Sequence, residues 1–253
     1  MGRGAMCASG AVTRSTLRQQ IADALRDEVL AGRLQPGREF TVKQIAEQYG
    51  VSATPVREAL FDLSAQGLLE SDQHRGFRVR EFTVADYRSL VEARSLVIDG
   101  VIRGIFFGAG LSPAQRAVYR DCLVAVRRRA QEAARAARGG DLDILIGYDL
   151  RFWRELGALV GNAYINGFLH RLRVQAWVFA VPYLRHDPAA RDWLWHGHED
   201  LVAAITLGDH DAVRAVMDDY NTHALNWADR LAAGELAHPG RGGRTPGPGA
   251  PEA

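Results

Sequence analysis

A chain of 253 residues, 47% hydrophobic, is long enough to bury one large core or two smaller ones. Its net charge of +1 excludes binding to nucleic acid by bulk charge alone. Two cysteines, Cys7 and Cys122, lie far apart without metal-site spacing, so nothing points to a disulfide framework, and a reducing cytoplasm is the simplest location. No apolar run is long enough to span a membrane, and residues 1–10 lack the basic start and apolar stretch of a signal peptide.

Residues 1–14 are small and polar without periodicity, which predicts a flexible terminus. From Leu17, apolar residues at 17, 21, 25, 29 and 30 share one helical face until Gly32 and Pro36-Gly37 stop it. Phe40 and Val42 form a short extended link. Val42, Ile45, Ala46 and Tyr49 then mark a second helix that ends at Gly50. The stretch Gly50-Val51-Ser52-Ala53-Thr54-Pro55-Val56-Arg57-Glu58-Ala59-Leu60 reads as a turn followed by a third helix. Gly50 suits the left-handed stop, Ser52 or Thr54 the cap, and Pro55 the first turn. After Gly67, Leu68–Ser71 and Gly76–Arg80 alternate around a polar turn and predict a two-stranded hairpin. Residues 15–80 are thus a winged helix-turn-helix.

Beyond Glu81 helical periodicity runs through six segments, 85–107, 113–138, 142–160, 163–185, 189–207 and 210–234, separated by glycine, proline and capping residues. The fold class is mainly α: three helices and a small β-hairpin, then an all-α bundle over residues 81–236. Residues 237–253, rich in proline and glycine, are expected to be disordered. Residues 1–80 carry 11 Lys and Arg against 9 Asp and Glu, and residues 81–236 carry 18 against 20. A DNA-binding part with so slight an excess must place a few cations well, and a dimer presents them twice.

These motifs resemble the GntR family of bacterial transcription regulators. The resemblance rests on Leu30-x-Gly32-x-Leu34-x-Pro36-Gly37, Ile45-Ala46, the stretch 50–60, Leu63-x-x-x-Gly67-Leu68 and Arg75-Gly76-x-x-Val79. The helical remainder is similar to the FCD-type effector domain of the FadR subfamily, through Leu90-Val91-Glu92-Ala93-Arg94, Asp149-x-x-Phe152, Gly161-Asn162 and the run from His198 to Ala212. The resemblance implies a homodimer that places its third helix in the major groove of a palindromic operator and its wing near the minor groove.

Carried onto this chain, the DNA contacts are Lys43, Ser52, Thr54 and Arg57, with His74, Arg75 and Gly76 at the wing tip. Arg57 suits phosphate or guanine; its competing role is a salt bridge to Glu58 or Asp62. Lys43 and His74 also fit the reading of ordinary surface cations. Ala53 stands where many relatives carry arginine, so one guanidinium is missing from the recognition helix.

Many FCD-type domains hold a divalent metal through an aspartate and three histidines. Here Asp149 and His198 match that pattern, but Trp153 and Tyr220 occupy the other two positions, which predicts a metal-free pocket; a residual site would use Asp149, His198 and His223. The expected effector-binding residues are Arg94, Tyr148, Asp149, Trp153, Arg173, His198 and Tyr220. Arg173 suits a carboxylate or phosphate, or else pairs with Asp149. Trp177, Trp193 and Trp195 are expected to pack, and Arg127-Arg128-Arg129 with Arg135 and Arg138 to form a solvated face.

The expected function is a ligand-responsive, sequence-specific repressor, without enzymatic activity or cofactor. Its partners would be double-stranded operator DNA, a second copy of the chain and a small effector, an organic acid or acyl compound. The alternatives are a metal-dependent all-α enzyme fused to a DNA-binding domain, and a DNA-binding dimer that has lost its effector response.

Overall fold

Two threonines open the first helices in the same way. In a computed structural model, which describes residues 16–72, 76–104 and 112–234, helix α1 (Leu17–Leu30) is capped by Thr16. Its hydroxyl accepts from Gln19 N at 3.3 Å while Gln19 Oε1 accepts from Thr16 N at 2.9 Å. Strand β1 (Glu39–Phe40) follows, and then α2 (Val42–Tyr49), where Thr41 and Gln44 repeat the reciprocal cap. Gly50, at φ 64°, ends α2 in the left-handed conformation. Helix α3 (Ala53–Ala65) buries Val56, Ala59, Leu60 and Leu63 on one face.

Strands β2 (Leu69–Asp72) and β3 (Gly76–Val79) form the expected hairpin, but β1 pairs with the far side of β3. The expected hairpin is present, and the segment read as an extended link adds a third antiparallel strand beside it. Gly76 accounts for the close pairing: a Cβ there would lie 2.6 Å from the Phe40 carbonyl oxygen. His74 and Arg75, and the expected flexible ends 1–14 and 237–253, lie outside the described residues.

The remainder is helical. Helices α4 (Val84–Gly104), α5 (Pro113–Gly139), α6 (Leu142–Ala158), α7 (Ala163–Leu184), α8 (His198–Leu207) and α9 (His210–Ala232) match the predicted segments with one exception. The segment expected to be helical over 189–207 is split into a 3₁₀ turn (Ala190–Trp193), an extended stretch and α8. Leu194 is extended, and Gly197 makes room for the Trp195 ring, whose Cζ2 would lie 2.6 Å from a Cβ at that position. This irregular piece becomes one wall of the cavity described below.

The core of the winged part does not close on itself. Ile146 of α6 and Val174, Val178 and Val181 of α7 are buried in the same apolar cluster as Leu25, Leu60 and Val79. Thr83 caps α4 through reciprocal hydrogen bonds with Asp86, so the segment joining the two parts is short. Cys122, buried on α5, is disulfide-bonded, against the expectation drawn from sequence separation, which does not bound separation in space. Among the described residues, no helix is long and apolar enough to cross a membrane.

Candidate DNA-binding face and effector cavity

The starts of α2 and α3 meet Gly76 along an open groove of about 620 Å³, lined by Lys43, Glu47, Ala53 and Arg57 among others. Arg57 is exposed and, among the described residues, makes no ion pair. Asp62, one of the two acids that could have engaged it, pairs instead with Arg18 at 3.4 Å. Lys43 projects into solvent, 3.8 Å from Glu47. Ser52 stands at the N-cap of α3 but makes no side-chain cap bond, so both its hydroxyl and the first amide groups of the helix remain available to an anion. Thr54 lies in the first turn, exposed beside it. Gly76 serves first the chain's own folding, through its contact with Phe40, as well as the approach expected at the wing.

Inside the bundle, one buried carboxylate organises the polar groups. Asp149 of α6 accepts from Trp153 Nε1 (2.8 Å) and His198 Nε2 (2.9 Å) on one oxygen, and from Trp177 Nε1 (2.8 Å) on the other. Burial pushes this carboxyl up, but the hydrogen bond and charge of His198, the Trp177 indole and the nearby Arg173 outweigh it and hold the group below its ordinary value. An ionised Asp149 requires that His198 Nε2 carry the proton.

Two buried guanidiniums stand opposite. Arg94 of α4 donates to Asn221 Oδ1 from Nε (3.2 Å) and from a terminal nitrogen (2.9 Å), and to the Tyr220 hydroxyl (3.0 Å). Arg173 of α7 lies 4.1 Å above the Trp153 ring. Its Nε is buried without a hydrogen-bond partner, and among the described residues neither arginine makes an ion pair with a carboxylate. Burial pushes the Arg173 guanidinium down to about 10, with Arg94 acting in the same direction against Tyr220 and Asp149. The site thus holds two cations against one carboxylate whose oxygens are already engaged.

Arg94, Asp149, Arg173 and Tyr220 line a cavity of about 80 Å³ together with Tyr87, Trp177, Trp193, Trp195, His223 and Trp227. Residues 114–222 match the FCD domain, and residues 11–79 match the bacterial regulatory proteins of the gntR family. A relative named "Probable D-xylose utilization operon transcriptional repressor", from Paenarthrobacter nicotinovorans, is 32% identical over 198 residues, covering 78% of this chain and 82% of the relative. The chain belongs to the GntR family.

Two solved structures agree with this GntR assignment in fold. Escherichia coli McbR/YncC superposes with a TM-score of 0.67 at 20% identity, covering 86% of this chain and 99% of that one. A GntR transcriptional regulator from Rhodococcus sp. RHA1 gives 0.65 at 22%, covering 87% and 99%. The protein is a GntR-family transcription regulator with an FCD-type effector domain.

Within this GntR-family bundle the expected effector residues separate into three groups. Arg94, Asp149, Arg173 and Tyr220 reach the cavity wall. Trp153 and His198 lie behind Asp149 and hold it. Tyr148 does not reach the cavity. Consecutive helix positions point about 100° apart, and Tyr148 is not on the wall, although it packs in the same apolar cluster as Tyr87, Trp177, Trp193 and Trp227, which are. Trp177, Trp193 and Trp195, expected to be packing residues, stand on the wall, and Tyr87 and Trp227 join them. The Tyr87 and Trp227 rings look like ordinary core aromatics in the sequence; only their side of the helix distinguishes them. The arginine run behaves as a solvated face, with Arg129, Arg135 and Arg138 paired to Glu155, Glu132 and Glu199.

The metal implied by the FCD resemblance does not fit these side chains. Trp153 and Tyr220 at two of its four ligand positions present an indole N–H and a phenol stacked 5.0 Å from that indole. Both oxygens of Asp149 accept N–H groups, and the ring nitrogen of His198 that faces Asp149 is a donor. His223 lies on the cavity wall with Nε2 buried and without a partner. Among the described residues, no three His, Cys, Asp or Glu side chains come together as a possible metal site.

Proposed function

We propose that this protein is a cytoplasmic, homodimeric repressor that reads a palindromic operator through α3 and releases it when a small organic anion enters the cavity between α4, α6, α7 and α9. The observation that carries the effector reading is the pair of buried guanidiniums, Arg94 and Arg173, neither in an ion pair with a carboxylate among the described residues. A buried net charge is costly, and an anion that enters relieves that cost. Two arginines take over the role that a metal fills in metal-dependent relatives, so neither metal nor enzymatic chemistry is required.

Lys43, Ser52, Thr54, Arg57, His74, Arg75 and Gly76 form the DNA contact set on this reading. Arg57 and Ser52 support it most directly: Arg57 is exposed without an ion pair among the described residues, and Ser52 makes no side-chain cap bond. An effector shifts operator release only by binding the DNA-free arrangement more tightly than the DNA-bound one.

The test has two arms. Selection of bound oligonucleotides from a random pool identifies the operator, and titration of organic anions into the complex reads release. An anion that raises the melting temperature and lowers operator affinity supports the proposal. Full operator binding with no response to any organic anion overturns the effector reading and leaves a DNA-binding dimer without regulation. Exhaustive dialysis against a chelator is expected to leave melting temperature and operator affinity unchanged. Stoichiometric metal retained through ordinary dialysis refutes the metal-free site.

A further inference from the structure

Six aromatic rings stand on the wall of the effector cavity: Tyr87, Trp177, Trp193, Trp195, Tyr220 and Trp227. Few polar atoms among them remain without partners. Asp149 is engaged by three donors, and Arg94 is engaged by Asn221 and Tyr220. The buried polar atoms on the wall that lack a partner are Arg173 Nε, His223 Nε2 and Trp227 Nε1. Tyr220, His223 and Trp227 follow one another at three- and four-residue spacing on α9, so they share a face. At about 1.5 Å per residue, the Tyr220 end and the His223–Trp227 end lie about 5–10 Å apart along the helix.

From this arrangement we infer that the effector is a compact aromatic carboxylate, with its carboxylate at Arg173, its ring between the indoles and a polar ring substituent at His223 and Trp227. This inference rests on the anion-effector reading above. A polyhydroxylated acid needs a partner for each hydroxyl, and the wall does not supply them. An acyl thioester is far larger than a cavity of about 80 Å³. A benzene-sized body occupies a cavity of about 150 Å³, so one wall must yield to admit a ring. The non-helical wall is suited to this: Trp193 is half-buried at the end of a single 3₁₀ turn and is held from outside by Arg230, 5.1 Å above its ring. Planar rings between indoles gain the offset and edge contacts that saturated rings cannot make.

The test is calorimetric titration of the full-length protein with benzoate, 4-hydroxybenzoate, cyclohexanecarboxylate and gluconate, with tryptophan emission followed in parallel. Benzoate and 4-hydroxybenzoate are expected to bind about tenfold more tightly than cyclohexanecarboxylate and to quench the emission. Trp193→Ala, at a half-buried position, is expected to weaken benzoate while leaving the melting temperature of the free protein within a few degrees, and His223→Ala to abolish the advantage of 4-hydroxybenzoate over benzoate. Equal affinity for benzoate and cyclohexanecarboxylate overturns the aromatic assignment. Tighter binding of gluconate overturns it too while leaving the anion-effector reading intact. Failure of these acids, and of every other organic anion in the release assay, overturns both.

Discussion

Gln175, on the bundle helix α7, donates from Nε2 to the backbone carbonyl of Gln66 at 2.7 Å, and Gln66 is the C-cap of the recognition helix α3. Arg26 of α1 donates to the side chain of the same Gln66 at 3.1 Å. Two residues before Gln175, Arg173 faces the effector cavity, and two residues after it, Trp177 holds Asp149. One helix therefore carries the cavity's charge on one side and grips the end of α3 on the other.

Gly67 makes that grip possible. Its φ is +72°, and a Cβ there would lie 2.6 Å from Gln175 Nε2. Gly67→Ala is expected to destabilise the protein by about 2–3 kcal/mol, combining backbone strain with a displaced hydrogen bond. Placed on Gln175→Ala, the same substitution should cost about 1 kcal/mol less. Urea unfolding of the four proteins in the cycle measures the coupling; strict additivity would show that the two residues do not interact.

Arg57→Ala is expected to weaken the selected operator by about 1–3 kcal/mol, with relaxed preference at the base it contacts. Lys43→Ala should act more evenly across sequences and reduce the salt slope by about one. Fluorescence anisotropy at several salt concentrations distinguishes the two, and an unchanged operator affinity for Arg57→Ala would remove α3 from the groove.

Trp177→Phe keeps a ring on the wall but removes the donor to Asp149 Oδ2. A cost of about 1–3 kcal/mol is expected from the weakened support of a buried carboxylate. The sign of its pH effect follows from the lowered Asp149 pKa. The contribution of that carboxyl is present above its ordinary value of 3.8 and is lost as pH falls through the lower, folded-state value. The substitution raises the folded-state value, so the loss begins at higher pH, as urea midpoints between pH 5 and pH 3 will read.

His170 titrates in a more accessible range. Burial, with Arg154, Arg26 and Arg173 around it, pushes the imidazole down to about 4 from 6.5. Between those values the unfolded chain takes up the proton first, so stability falls as the solution is acidified from pH 6.5 toward pH 4. His170→Gln should flatten that slope while leaving stability above pH 7 little changed. An undiminished slope in the variant would assign it to other groups.

The recognition helix was legible in the sequence because its information is local: Gly50 stops one helix, Ser52 and Pro55 start the next, and four apolar residues define its buried side. Strand β1 was not legible. Two residues carry no periodicity, and Glu39–Phe40 becomes a strand only by pairing with a distant β3. The cavity falls between these cases. Arg94, Asp149, Arg173 and Tyr220 follow from helical spacing in the resemblance, whereas Trp193 and Trp195 sit in a segment whose composition reads as helix but whose backbone is not. Tyr148 shows the limit of spacing arguments, since it shares the apolar cluster of the cavity-lining rings without itself reaching the wall.

Helices α1 and α2 begin with complete reciprocal caps, whereas α3 begins with a serine that makes no side-chain cap bond. The helix proposed to meet DNA is the one of these three whose first turn the protein leaves unfinished. A backbone phosphate seated at Ser52 would supply the missing acceptor, so operator DNA acts as part of the helix's own folding. Amide exchange at Ala53, Thr54 and Val56 should then slow on operator binding by more than at the other helix starts, with DNA serving α3 as Thr16 and Thr41 serve α1 and α2.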